Sequence, residues 1–145
     1  MSLKDRLIEE MKQAMRAKDQ LRLDVIRLLR ARIKNIEIDE GEIDDERVQQ
    51  VVQQQIKQWK DASVDYQKGQ RQDLIEEAQQ KIKVLQEFLP VQLSDDELKD
   101  IITQVKQETG LVQVGPLIGK VKQKVGNQAE GSKIATLVQE IMSSN

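Results

Sequence analysis

The stretch FLPVQLSDDE, Phe88 to Glu97, decides how the chain is organised. Pro90 stops any helix arriving from its N-terminal side, because it has no amide proton and its ring disfavours a helical residue before it. Just beyond, Ser94 with Glu97 three residues later spells a capping box, the start of a new helix. One body therefore ends and another begins here. The expected domains are 1–91, helical, and 92–145, smaller and also helical.

Working back from Pro90, Leu74, Ala78, Ile82, Leu85 and Leu89 define one helix that returns from the turn Lys68-Gly69-Gln70. Its partner carries Val48, Val52, Ile56, Trp59 and Tyr66 behind a cap at Asp44 or Asp45, so the two should pack as an antiparallel hairpin. Further back, Leu21, Val25, Leu28, Leu29, Ile33 and Ile36 give a helix running to about residue 38. Leu3, Leu7, Met11 and Met15, capped by Ser2, give another over about 3–17. Working forward, Leu98 to Val105 forms a helix closed by Gly110. Pro116 suits the first turn of the next, which runs to Gly126. Ser132 is expected to cap the last, with Ile134, Leu137, Val138 and Ile141. No strand pattern competes, so the fold class is all-α.

Composition narrows the chemistry. The 145 residues contain no Cys and no His, which removes thiol nucleophiles, disulfides and the usual zinc ligands. Only Trp59, Tyr66 and Phe88 are aromatic, too few for a base-stacking platform. Trp59 and Tyr66 read as core, and Phe88 as a plug at the domain junction. Lys+Arg 23 against Asp+Glu 25 gives a net charge of -2, so overall charge points to no nucleic-acid or membrane partner. No apolar run is long enough for a membrane span, and Met1 to Met11 is not a secretory signal; the expected location is cytoplasmic. Ser63, Ser94 and Ser132 have no base constellation, so no catalytic residue, cofactor or metal site is expected.

Local charge is less even. Between Lys4 and Lys34 basic side chains outnumber acids, and Arg27, Arg30 and Lys34 fall on one outer ridge of the second helix. Such a ridge can track phosphates or be a solvated face neutralised by the acidic connector Glu37 to Glu46. Arg22 and Arg32 fall within an apolar stripe and must pair, snorkel or meet a partner. In the smaller domain Lys120, Lys122 and Lys124 precede the loop Gly126-Asn127-Gln128-Ala129-Glu130-Gly131, whose two bracketing glycines make a candidate anion-binding corner. It lacks the lysine and hydroxyl of a nucleotide-binding loop.

Phe88 to Ser94, Gly119-Lys120-Val121, Ala129-Glu130-Gly131, the segment Leu3 to Met15, the Arg22 to Arg30 helix and Arg71-Gln72-Asp73-Leu74 together resemble the YqeY family, related to the tail domain of GatB. The resemblance spans nearly the whole chain. It implies an N-terminal helical domain joined to a three-helix domain like the GatB tail, the part of a glutamine-dependent tRNA amidotransferase that contacts the tRNA body. It further implies a non-catalytic, tRNA-binding accessory factor, with carbon-nitrogen ligase activity using glutamine as amido-N-donor belonging to the complex. Partners would be tRNA and proteins of the translation or tRNA-modification machinery. The candidate RNA-binding residues are then Lys120, Lys122, Lys124, Gly126, Asn127, Gln128, Gly131, Lys133, Arg27, Arg30 and Lys34. The alternative is a helical protein-interaction module with no RNA partner. Departures from the family pattern fall in the loop. Gly126 and Gln128 stand where basic residues are usual, Asn127 replaces glycine, where it tolerates a left-handed backbone, and Glu130 replaces aspartate.

Overall fold

A computed structural model describes residues 1–144 and is all-helical there. Contacts divide the chain into two compact units, Met1–Leu89 and Pro90–Asn145. Helices α1 (Leu3–Ala17), α2 (Gln20–Glu40), α3 (Asp45–Lys68) and α4 (Gln72–Gln86) build the first. Helices α5 (Asp95–Thr109), α6 (Val114–Val125) and α7 (Gly131–Ser143) build the second, with a single 3-10 turn at Gly126–Gln128.

Local chemistry sets most helix ends. Ser2 Oγ accepts from Asp5 N at 3.1 Å while Asp5 accepts from Ser2 N at 3.4 Å, a reciprocal box that starts α1. Lys18 adopts a left-handed φ of 56° and ends it, and Asp19 caps α2 by accepting from Arg22 N at 3.2 Å. A two-residue link therefore reverses the chain, and α1 and α2 pack antiparallel. Asp44 caps α3 by accepting from Arg47 N at 2.9 Å. Between α3 and α4 the left-handed position is Gln70, φ 55°, one residue after the glycine. A side chain in that conformation costs about 1 kcal/mol that glycine would avoid.

Leu7, Ile26, Leu29, Ile33, Val48, Val52, Ile56 and Leu85 fill the first core, with Phe88 at 1% exposure. Phe88 is thus a core residue of the first unit rather than a junction plug, and the Arg6 guanidinium lies over its ring at 4.8 Å. Leu28, expected in the buried stripe, is 48% exposed, because α2 turns only one face to the bundle. Ile75 and Ala78 are buried yet lie outside this core, on α4, which packs most extensively against α3.

In the second unit Ser94 and Glu97 form the expected capping box, at 3.2 and 3.3 Å. Gly110 closes α5 at φ 66°. Leu98, Ile102, Leu117, Val121, Ile134 and Val138 are fully buried at its centre. The expected cap of α7 is corrected: the helix starts at Gly131, so Ser132 is already inside it, and Glu130 at the N-cap makes no side-chain capping bond. Among the described residues no helix is long and apolar enough to cross a membrane.

Candidate nucleic-acid interface

The cations proposed from the sequence separate by what they touch. On α6, Lys120 and Lys124 are one turn apart on the exposed side and make no ion pair among the described residues. Lys122 lies on another face of the same helix and turns inward. Its Nζ donates to the carbonyl of Gly126 at 2.9 Å and to that of Ala129 at 3.4 Å. These groups belong to the loop where a helix end leaves carbonyls without intrahelical donors, and a charged donor is the strong way to satisfy them. Lys122 is thus a pin for the loop. Lys133 is half-exposed and pairs with Asp95 at 2.5 Å, joining the starts of α7 and α5.

The loop itself is closed from its other side. Gln92 Nε2 donates to the carbonyls of Asn127 at 3.0 Å and Pro90 at 2.8 Å, and Leu93 N donates to the carbonyl of Gln128 at 2.9 Å. Asn127 is 6% exposed and Ala129 2%. The segment 90–93 is therefore laced onto the loop, whose carbonyls are used internally. Asn127 does not take the left-handed position; Gly126 does, at φ 57° and ψ -131°, a conformation essentially reserved for glycine. The glycine that replaces a usual basic residue is the one this turn requires. Gly131 and Gln128 remain at the edge of the loop, exposed and half-buried.

In the first unit Arg27 and Lys34 are exposed and unpaired among the described residues, two turns apart on α2. Arg30, between them, is half-buried and donates to Met11 Sδ at 3.2 Å. Arg22 is taken up by Glu10 at 2.5 Å and Glu87 at 2.7 Å, interactions that hold its guanidinium above its ordinary pKa, Glu87 contributing most. The acidic connector has partners as well. Lys4 reaches Glu37 at 2.8 Å and Glu42 at 3.4 Å, and Arg47 reaches Glu40 at 2.9 Å. Glu37 also accepts from Ile43 N at 3.0 Å, and its carboxyl sits below the usual range, chiefly because of Lys4. Hence the connector does not neutralise the ridge of Arg27 and Lys34. Charge pairing of this kind is foreseeable in outline; which lysine turns inward is not, since Lys120, Lys122 and Lys124 look alike in sequence.

Residues 4–142 match the model of the Yqey-like protein family. The chain belongs to that family. Relatives of this Yqey-like chain include proteins named "Altered inheritance of mitochondria protein 41, mitochondrial". The one from Kluyveromyces lactis is 33% identical over 81% of this chain and 68% of its own length. That from Vanderwaltozyma polyspora is 32% identical over 79% and 66%. That from Lachancea thermotolerans is 32% identical over 81% and 67%. The chain thus spans about two thirds of these relatives. Their names overturn the cytoplasmic placement expected above and point to mitochondria instead. The expectation failed because the amphipathic character of Met1 to Met11 bears only on secretion and does not separate cytosol from an organelle.

Proposed function

We propose that this Yqey-like protein is a non-catalytic accessory factor of glutamine-dependent tRNA amidation, whose second unit holds RNA by its phosphates along the outer ridge of α6. The observation that carries the reading is the sorting of lysines: Lys122 and Lys133 are used within the fold, whereas Lys120 and Lys124 face solvent one turn apart. Cations left free on an otherwise satisfied surface suit phosphate binding, which positions RNA without reading bases. The scarcity of aromatic residues agrees, since stacking on bases has little to work with. The link to amidation rests on the resemblance of α5 to α7 to the GatB tail. Any carbon-nitrogen ligase activity would then be a property of an assembly.

Anisotropy titration of labelled tRNA over a range of salt concentrations tests this. Removing one phosphate-binding cation should reduce the slope of log K against log salt by about 0.7–0.9, so K120A/K124A should flatten it by about 1.5. No binding by the wild-type chain at low salt, or an unchanged slope in the double variant, refutes the proposal.

A further inference from the structure

The outer seam of α1 and α2 is a second surface, independent of α6. Lys4 meets Glu37 and Met11 meets Arg30, which fixes the antiparallel register of the two helices. In that register Met15 stands level with Ile26 and Arg27, and Ile8 with Ile33 and Lys34. Helical spacing puts Ile8, Met11 and Met15 on the flank of α1 that faces α2's outer flank. The seam therefore has an apolar floor, half-buried at Ile8 and Met11 and 50% exposed at Met15. Arg27 and Lys34 form its wall on α2, and Ile38 at 76% exposure extends it toward Lys4.

We propose that this groove docks an acidic amphipathic helix of a protein partner. The argument for that occupant is charge and shape together. Arg27 and Lys34 have no acidic partner among the described residues, whereas Arg22, Arg47 and Lys4 elsewhere in the same unit all do. Their seven-residue separation is about 10.5 Å along the axis, the distance between carboxylates two turns apart on a partner helix. Phosphate binding would use the cations and leave the methionines uncovered. A helix with Leu or Ile at i, i+3 and i+7 covers them, and methionine adapts well to such a face. Arg30, resting on the Met11 sulfur, lines the floor with its stem and can turn its guanidinium to the same partner.

The test is site-specific photocrosslinking. A benzophenone amino acid replaces Met15 in the full-length chain inside cells, and the crosslinked segment is sequenced by mass spectrometry. The expected product is a helix-forming protein segment with Asp or Glu two turns apart beside an apolar face. Made as a peptide, it should bind R27E/K34E at least about tenfold more weakly than wild type, with affinity restored when its own acids become lysines. R27Q/K34Q serves the same purpose if the reversed variant fails to fold, as judged by circular dichroism. An adduct to RNA, to a second copy of this chain or to a segment without acids overturns the proposal. So does the absence of any adduct, or a peptide affinity indifferent to Arg27 and Lys34.

Discussion

Lys122→Met should destabilise the second unit while leaving its outer surface intact. The substitution keeps most of the aliphatic stem and removes the ammonium that donates to Gly126 at 2.9 Å and Ala129 at 3.4 Å. A hydrogen bond from a charged donor contributes about 1.5–3 kcal/mol, and the longer one less. Lys122 is half-buried, and water can reach part of the site, so we take about 2 kcal/mol for the pair. For a body of this size about 1 kcal/mol moves the midpoint by 4–8 °C, which gives a fall of about 8–16 °C in the transition that reports the second unit. Thermal melts followed by far-ultraviolet circular dichroism on the full chain measure it. Lys124→Met, two residues on and exposed, should stay within about 0.5 kcal/mol of wild type. If the two variants melt alike, Lys122 is not a pin, and the division of lysines between fold and surface collapses.

Gly126→Lys restores the residue type usual in the family but puts a side chain where φ is 57° and ψ -131°; it should cost about 1–3 kcal/mol and lower the melting temperature rather than strengthen RNA binding. Arg22→Met removes the ion pairs to Glu10 and Glu87 from a side chain 22% exposed, and a loss of about 1–2 kcal/mol in urea titration is expected, between the values for surface and buried pairs. For Glu37, held below the usual carboxylate range by Lys4 and Ile43 N, stabilisation is present above the ordinary value and lost as pH falls through the lowered one. Glu37→Gln should therefore melt below wild type at neutral pH and converge with it as the pH falls through the lowered value of Glu37; a constant gap would contradict the ion pair with Lys4.

Much of this architecture can be read in the residues. Every helix has a stripe at helical spacing, and Ser2, Asp44 and Ser94 each cap where a short polar side chain precedes an apolar run. Ser132 meets the same rule and fails it, because the chain turns into the helix at Glu130, before the serine is reached. Periodicity shows which face is apolar but not how wide the bundle's cover is, which is why Leu28 emerges at the surface. In the candidate site the limit is different. Lysines two residues apart on a helix diverge in direction, and only tertiary context shows that Lys122 finds two carbonyls while Lys120 and Lys124 point to solvent. Nor can local pattern show that Gln92 and Leu93, at the expected domain boundary, are bonded to the loop at Asn127 and Gln128.

The distal half of the α3–α4 hairpin, where Ile75 and Ala78 are buried away from the main core, has a consequence for the order in which this chain comes apart. Val48, Val52 and Ile56 near the base of α3 are held by the whole first unit. Tyr66, Leu74 and Ile75, near the hairpin's turn, lie outside that core, and a two-helix stretch alone is close to the limit of independent stability. The hairpin should therefore open from its tip as a sub-global event while its base stays closed. Amide protons of α3 would then exchange in a gradient, fast near Asp65 and slow near Val52. A continuous helix would thus span two stabilities, a rigid root and a tip that can refold around whatever it meets.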